Sequence, residues 1–177
     1  MVKLLKWTAI VLIGLVALLV AGGYALSPKF SVARSATMAS PADKVYALIA
    51  DPREWKRWAV WNQRDPAMQI TYSGPPSGAG AAWAWKSKRE GDGKITFTAA
   101  EANRRIVYAL DFPDFGTTST GAFELTAAGA GTKVTWSIDG DMGSNPLFRW
   151  LALFGDAMTG PDFEAGLANL KVLAEKP

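Results

Sequence analysis

The first feature of the chain is an apolar run near its N-terminus. Residues 8–26 contain no charged side chain. At about 1.5 Å per residue, a helix over this run spans roughly 28 Å, close to the hydrocarbon core of a bilayer. Trp7 and Tyr24 lie near its two ends, where interfacial aromatic residues are found, and Lys3 and Lys6 precede it. The pattern predicts one membrane-spanning helix whose N-terminus lies in the cytoplasm.

A cleaved signal peptide is the competing interpretation of this run. The run is longer than a usual signal-peptide core, and its best small-residue cleavage site, residues 25–27, is followed by Pro28. We therefore expect an uncleaved anchor and linker over residues 1–30. The domain over residues 31–177 would then lie on the extracytoplasmic side of the membrane, in the periplasm of a Gram-negative cell. Lys29 opposes this orientation weakly.

Beyond residue 30, apolar positions alternate with polar ones, which is typical of half-buried strands. Turn segments such as 90–93 (Glu-Gly-Asp-Gly) and 129–131 (Gly-Ala-Gly) separate the later runs. Consecutive strands joined by short turns predict an antiparallel meander. We predict seven strands, over residues 31–38, 68–72, 81–88, 95–99, 106–112, 122–125 and 134–138.

Helical spacing interrupts the alternation in two places. Ser40 is predicted to cap a helix over residues 41–49, and a second helix is predicted over residues 52–58. A long helix is predicted from residue 145 to about 174, with a kink or break at Gly160-Pro161. One long helix against a continuous apolar sheet predicts an α+β fold in which a curved sheet surrounds the C-terminal helix. Such an arrangement leaves an internal pocket, which aromatic side chains could fill.

Composition narrows the chemistry that this fold can perform. The chain has no cysteine and no histidine, which excludes disulfides, thiolate catalysis and a serine–histidine pair. No cofactor or metal is expected, and any metal would need ligands that are all oxygen. Three of the 19 basic residues precede residue 31 and none of the acidic ones does, which leaves 16 basic against 16 acidic residues in the domain. A neutral domain has no electrostatic footprint for nucleic acid.

The aromatic residues are the first candidates for a binding site. Eight tryptophans are unusual for this length, and Trp55, Trp58 and Trp61 follow one another at intervals of three residues. They either line a pocket mouth or pack the short helices against the sheet. Several later aromatic residues share the predicted inward face, where core and cavity wall are nearly the same surface. The predicted ligand-binding residues are Arg34, Trp58, Trp61, Trp83, Trp85, Tyr108, Phe112, Trp136 and Phe163.

Charged residues give weaker signals. Arg34 shares a predicted inward face with Val32 and Met38, so it needs either a carboxylate partner or an anionic ligand. A structural ion pair is the simpler interpretation. The carboxylates that could serve are Asp111, Asp139, Asp141 and Glu164. The pairs Asp139/Asp141 and Asp111/Asp114 could in principle perform acid–base work, but carboxylates near loops are usually solvated.

The order and spacing of these pieces resemble the START-like (SRPBCC) superfamily, and more narrowly the bacterial polyketide cyclase/dehydrase proteins with an N-terminal membrane helix. The resemblance covers about residues 31–175. It rests on residues 32–41 with 45–46, on 51–61 with Asp65-Pro66, and on 72–74, 78–80 with Trp85, 131–136 and 160–171.

This resemblance implies a helix-grip fold with a cavity under the long helix that takes lipids, isoprenoids, polyketides or other apolar molecules. It places the chain in a bacterial inner (cytoplasmic) membrane as a single-pass protein. We expect binding of a hydrophobic or amphipathic small molecule rather than catalysis. A cyclase or dehydratase using carboxylate, Tyr or Arg groups, and a non-catalytic module that docks a membrane complex, remain as alternatives. Segments 113–119 and 141–146, with the break at Gly160-Pro161, are candidate gates.

Overall fold

A computed structural model describes residues 2–113 and 117–176, and its elements follow the predicted order with small helices added. The helices are α1 (Val2–Ala25), α2 (Ala42–Ala50), α3 (Trp55–Trp58), α4 (Val60–Arg64), α5 (Pro146–Ala152) and α6 (Gly155–Ala174). The strands are β1 (Lys29–Met38), β2 (Gln69–Ser73), β3 (Ala82–Lys86), β4 (Gly93–Glu101), β5 (Arg105–Phe112), β6 (Thr117–Ala128) and β7 (Gly131–Asp141).

The seven strands form one antiparallel sheet in the order β1-β7-β6-β5-β4-β3-β2. Strands β2 to β7 are a meander, and β1 closes the far edge by pairing with β7, where Arg34 lies opposite Trp136. The predicted α+β architecture, a curved antiparallel sheet of seven strands with a long C-terminal helix, is confirmed. Strand β6 is much longer than predicted, because backbone pairing with β5 and β7 continues through the polar residues 117–120.

Helix α6 covers the sheet through one apolar stripe. Phe163, Leu167, Leu170 and Ala174 are all buried, and the ring of Phe163 stacks on the indole of Trp136 with centroids 3.9 Å apart. A Cβ on Gly166 would lie 2.9 Å from that indole, so the missing side chain lets the helix approach the sheet. These four residues and Gly166 therefore form the face of α6 that packs on the sheet.

The short helices between β1 and β2 insert their indoles into the same core. Trp55 and Trp58 are buried, and their rings contact each other and the ring of Phe123. Their Nε1 atoms donate to the carbonyls of Ile49 and Leu48 at 2.8 and 3.0 Å. Each buried indole therefore has an acceptor, and α3 is fixed against the end of α2.

The N-cap predicted at Ser40 is wrong. Helix α2 begins at Ala42 with Pro41 as its N-cap, in an extended conformation and without a side-chain cap. The Ser40 hydroxyl is buried with no hydrogen-bond partner, whereas its carbonyl accepts a bond from the Thr132 hydroxyl at 2.8 Å. Tertiary contact with β7 therefore decides the path of this segment. The helix predicted over 52–58 likewise starts later, at Trp55, and α4 follows it.

A kink or a break was predicted at Gly160-Pro161, and the break is wrong because α6 runs through both residues. The kink stays a prediction. The helix is interrupted earlier, at Leu153 and Phe154, which lie between the end of α5 and the start of α6. A proline disfavours helical backbone in the residue before it through contact with that residue's Cβ. Gly160 has no Cβ, so the helix continues with less strain.

Helix α1 stands apart from the core. It is the one helix among the described residues that is long and apolar enough to cross a membrane, over Lys6–Ala25. Every residue of the buried core lies between Val32 and Ala174, and the partly buried residues packed against it begin at Phe30. The part of the chain after α1 therefore has its own hydrophobic core, as domains that fold independently do.

Candidate ligand-binding cavity

A cavity of about 300 Å³ lies between the sheet and the N-terminal half of α6. Its volume is at the lower end of ligand pockets, which run from roughly 300 to 1,000 Å³. Most of its wall is apolar. The lining residues are Phe30, Trp55, Trp61, Asn62, Met68, Trp83, Trp85, Glu90, Ile95, Tyr108, Leu110, Phe112, Thr117, Ser119, Ile138, Asp141, Met142, Met158, Thr159, Asp162 and Phe163.

The aromatic wall comes from neighbouring strands of the meander. Trp83 and Trp85 lie on the inward face of β3, and Tyr108 and Phe112 lie on that of β5. The rings of Trp85 and Phe112 meet edge to face with centroids 6.1 Å apart. Gly93, paired with Trp85 across β3 and β4, leaves room for this indole. The alternating pattern of the strands thus directs four large rings into one space.

One end of the cavity is polar and is organised by Arg64. Its guanidinium binds Asp162 through two hydrogen bonds of 2.7 and 2.9 Å, and Glu90 through two of 3.2 and 2.9 Å. Trp61 Nε1 donates to Asp162 at 2.9 Å. Hydrogen bonding to Asp162 is the main cause that raises the pKa of Arg64 above its usual value. The guanidinium therefore stays charged and holds both carboxylates in fixed positions at the cavity wall.

The charged residues that line the cavity are all acidic. Glu90, Asp141 and Asp162 are lining residues, and no lysine or arginine is among the described lining residues. Arg64, which is not a lining residue, offsets part of the negative charge of Glu90 and Asp162. Asp141 has no salt bridge among the described residues, and it accepts a hydrogen bond from the amide of Gly143 at 2.8 Å. The cavity is therefore suited to neutral or cationic groups and disfavours anions.

Tyr108 lines the same wall, and its buried hydroxyl lies over Gly121 of β6, beside Trp136. Its oxygen accepts a hydrogen bond of 2.8 Å from Trp136 Nε1. Burial raises the pKa of the Tyr108 phenol well above its usual value near 10. The hydroxyl therefore stays protonated at neutral pH and can act as a hydrogen-bond donor or acceptor, not as a base.

Six of the nine predicted site residues meet in this cavity: Trp61, Trp83, Trp85, Tyr108, Phe112 and Phe163. Trp58 and Trp136 lie outside its lining, fully buried among other rings. Trp136 supports the lining residues Tyr108 and Phe163 from behind. Whether any of the nine contacts a ligand stays a prediction.

Arg34 lies outside the cavity lining, at the outer edge between β1 and α6. Its guanidinium binds Asp156 at 2.8 Å and Glu164 at 2.6 Å. Hydrogen bonding between Arg34 and Asp156 raises the pKa of the guanidinium and lowers that of the carboxyl. Glu164 was among the predicted partners. Asp156 was not, because the start of α6 was placed at residue 145 and its first turn could not be identified.

Sequence reasoning missed several lining residues. The spacing of Trp55 leaves open whether it lines a pocket or packs a short helix on the sheet, and Glu90 belongs to a segment whose sequence predicts only a turn. Asp162 directly follows Gly160-Pro161, a pair that predicts the end of a helix instead of a continuous helix face. Asp162 directly precedes the predicted site residue Phe163, and this adjacency is the signal that could have identified it.

Parts of two of the candidate gates line the cavity. Thr117 and Ser119 at the start of β6, and Asp141 and Met142 at the end of β7, line the cavity. Residues 114–116, including Asp114 of the predicted carboxylate pair, lie outside the described residues. Asp111 accepts a hydrogen bond from the Thr118 hydroxyl at 2.8 Å, and Asp139 is exposed and outside the lining.

A curved seven-stranded sheet with a cavity under a long C-terminal helix defines a START-like protein of the helix-grip class. The family described as polyketide cyclase/dehydrase and lipid transport matches residues 29–175, and the chain belongs to this family. Among curated proteins, none matches the chain.

Solved structures share the fold at low sequence identity. The protein CV1439 from Chromobacterium violaceum is 14% identical with a TM-score of 0.61, over 84% of this chain and 99% of that one. The di-domain ARO/CYC protein BexL of the BE-7585A biosynthetic pathway is 18% identical with a TM-score of 0.58, over 85% of this chain and 51% of that one. Aha1 from Colwellia psychrerythraea is 16% identical with a TM-score of 0.56, over 82% and 96%.

Proposed function

We propose that the domain binds a hydrophobic or amphipathic small molecule, such as a lipid, an isoprenoid or a polyketide-like compound, inside the cavity. The observation that carries this proposal is a space of about 300 Å³ with aromatic walls and a polar end. An apolar wall provides affinity through burial, and a few fixed polar groups orient the ligand. Asp162 and Glu90 are the groups that fix its orientation.

The charge of the lining narrows the ligand class. A carboxylate or phosphate group entering the cavity would meet Glu90, Asp141 and Asp162 with no basic residue in the described lining. A hydroxyl, amide or ammonium group can instead donate to these carboxylates, and an ammonium group also gains from the faces of the aromatic rings. The preferred ligand is therefore an apolar molecule with a neutral or cationic polar group.

The membrane anchor belongs to the same proposal. The length and composition of α1 support a single span over Lys6–Ala25, with residues 1–30 as anchor and linker and residues 31–177 as the binding domain. Lys3 and Lys6 favour a cytoplasmic N-terminus. The domain would then lie on the extracytoplasmic face of the inner membrane, with its cavity close to a reservoir of lipid.

The test is to purify a fragment of residues 27–177 from cells and analyse its bound molecules by native mass spectrometry. A co-purifying apolar compound with a neutral or cationic polar group is expected. If no compound co-purifies and the fragment also fails to bind a neutral fluorescent apolar probe, the binding function is excluded. A fragment that carries only fatty acids would contradict the ligand class and leave the binding function in place.

A second candidate is an enzyme that performs acid–base chemistry on a bound ligand. The observation that favours it is the pair Asp162 and Glu90, two carboxylates at the cavity wall that both bind Arg64. Turnover of a co-purified compound that is lost in Asp162→Asn, with binding retained, would establish it. Unchanged compound after incubation with the protein would exclude it. The third alternative, an interaction module, predicted a filled core and exposed indoles, whereas Trp55 and Trp58 are buried and a cavity is present.

A further inference from the structure

The corner between α5 and α6 carries a group of exposed apolar side chains, which we call the corner patch. They are Leu147, Leu151, Leu153, Phe154 and Met158. Their exposed fractions run from 43% to 61%. Outside α1, Val172 is the only other large apolar residue that is so exposed among the described residues. A patch of this kind on an otherwise polar surface marks a site of interaction.

Helix α5, which carries part of the patch, packs on the C-terminal part of α1. Trp150 Nε1 donates to the Leu19 carbonyl at 3.0 Å. The Arg149 guanidinium donates to the carbonyls of Tyr24 and Leu26 at 3.3 and 3.4 Å. A Cβ on Gly22 would lie 2.8 Å from the Trp150 indole, so this glycine permits the contact.

The connection between α1 and the domain is short and held at both ends. Helix α1 ends at Ala25 and β1 begins at Lys29. The amide of Met142 donates to the Pro28 carbonyl at 2.9 Å within this connection. The domain therefore cannot move far from the end of α1.

The position of Trp150 along α1 gives the depth of α5. Leu19 precedes Ala25, the last residue of the apolar span, by about 9 Å at a rise of 1.5 Å per residue. Amphipathic helices in the membrane interface lie roughly 5–10 Å into the boundary between headgroups and acyl chains. If α1 crosses a bilayer, α5 lies between the end of the span and about this depth, because its contacts on α1 run from Leu19 to Tyr24 and Leu26.

We infer that the corner patch is a membrane-docking surface that lies in the headgroup and acyl boundary of the bilayer beside α1. The inference rests on the proposed membrane span. Its occupant is lipid because the patch is continuous with the packed end of an apolar helix. The cavity opens next to the same surface, since Met158 belongs both to the patch and to the cavity lining. The ligand therefore exchanges between the cavity and the bilayer itself, without crossing water.

The depth of the patch can be measured in the full chain, which has no native cysteine. Single variants Leu151→Cys, Phe154→Cys and Val172→Cys are labelled with an environment-sensitive nitrobenzoxadiazole dye. They are reconstituted into vesicles of palmitoyl-oleoyl phosphatidylcholine and phosphatidylglycerol. Labels at 151 and 154 are expected to show blue-shifted emission and quenching by lipids brominated near the headgroup. The label at 172, a matched exposed apolar position, is expected to report water.

The possible outcomes distinguish a failure of the proposed docking surface from a failure of the proposed membrane span. Labels at 151 and 154 that report water, in protein that resists carbonate extraction, overturn the docking surface and leave the span intact. Release of the protein by carbonate overturns both. Labels that report a dry environment but resist quenching by brominated lipid show that a protein partner or a second copy covers the patch, and this also overturns the inference.

A pair of glycine variants on α1 tests the packing that sets the depth. Gly22→Leu is expected to displace Trp150 and move the label at 151 towards water. Gly14→Leu is its control, since a Cβ there would meet nothing within 4 Å. If both variants leave the emission unchanged, the contact between α1 and α5 does not position the patch and the inference is overturned.

Discussion

Trp136 and Tyr108 are joined by a hydrogen bond of 2.8 Å in which the indole nitrogen donates to the phenolic oxygen. Both side chains are buried, on β7 and β5, with β6 between them. Gly121, opposite Tyr108 on β6, provides the room for the tyrosine ring. The bond fixes one wall of the cavity, because Tyr108 lines it and Trp136 stacks on the lining residue Phe163.

This bond predicts a specific coupling in stability. Tyr108→Phe leaves the Trp136 Nε1 donor buried without an acceptor, which costs about 1–3 kcal/mol. Trp136→Phe removes the donor and also leaves a void, so its cost is larger. In the double variant the two costs are not additive, and the free energies of unfolding in urea give a coupling of about 0.5–3 kcal/mol. Additive costs would show that the bond contributes nothing.

Burial of Tyr108 predicts a loss of stability at high pH. The pKa of its phenol is raised in the folded state above the value near 10 of an unfolded chain. The contribution of the protonated Tyr108 to the free energy of unfolding is fully present below about pH 10. It is lost as the pH rises towards the pKa of the folded state, by about 1.4 kcal/mol per pH unit. Urea unfolding of the 27–177 fragment above pH 10 measures this slope. Tyr108→Phe should lower this slope by about 1.4 kcal/mol per pH unit, the value for one proton. An unchanged slope would show that Tyr108 does not cause the loss of stability.

Arg34 is expected to stabilise the junction of β1 and α6 without taking part in binding. Arg34→Gln should lower the melting temperature by breaking contacts with Asp156 and Glu164, and the difference should shrink in high salt because the partners are exposed. Arg105→Gln is the control, since its nearest carboxylate oxygen lies 3.8 Å away and the pair is exposed. A lowered affinity for a neutral probe in Arg34→Gln would instead place Arg34 in the binding site.

The charge of the cavity predicts discrimination between two dyes with the same ring skeleton. N-phenyl-1-naphthylamine is neutral, whereas 8-anilinonaphthalene-1-sulfonate carries a sulfonate. Two like charges about 8 Å apart at an effective dielectric constant of 20 repel by roughly 2 kcal/mol, so the anionic dye should bind at least about tenfold more weakly. Fluorescence titration of the 27–177 fragment measures both constants.

A charge variant locates this discrimination in the cavity. Asp141→Asn removes a lining carboxylate and should narrow the difference between the two dyes. Asp139→Asn, two residues away on β7 and outside the lining, should leave it unchanged. Equal effects of the two substitutions would show that the anionic dye is excluded by the net charge of the surface.

The sheet could be predicted from sequence because alternation is a local signal. Each inward residue of β3, β5 and β7 follows from a period of two, and the register then brings Trp83, Trp85 and Tyr108 into one space. The helix limits were harder to predict. At Ser40 a tertiary contact overrides the local capping rule, through the bond of Thr132 to the Ser40 carbonyl. At Pro161 a second local feature, the missing Cβ of Gly160, offsets the rule that a proline ends a helix.

The polar end of the cavity could not be predicted for a different reason. Arg64, Glu90 and Asp162 come from α4, the β3–β4 turn and α6, and they meet only through long-range packing. No spacing along the chain relates them. The partners of Arg34 were predicted in part, since Glu164 was one of the four carboxylates named as possible partners, whereas Asp156 lies in the first turn of α6 and depends on where that helix begins.

Two adjacent residues of β6 test directly whether the cavity is the binding site. Ser119 lines the cavity, whereas Thr120 is exposed outside it. Ser119→Leu fills part of the space and Thr120→Leu adds the same side chain outside. Titration of the 27–177 fragment with N-phenyl-1-naphthylamine, with melting temperatures as a check on folding, should show saturable binding that Ser119→Leu weakens and Thr120→Leu preserves. Equal affinity in both folded variants, or no saturable binding in the unmodified fragment, would contradict binding in the cavity.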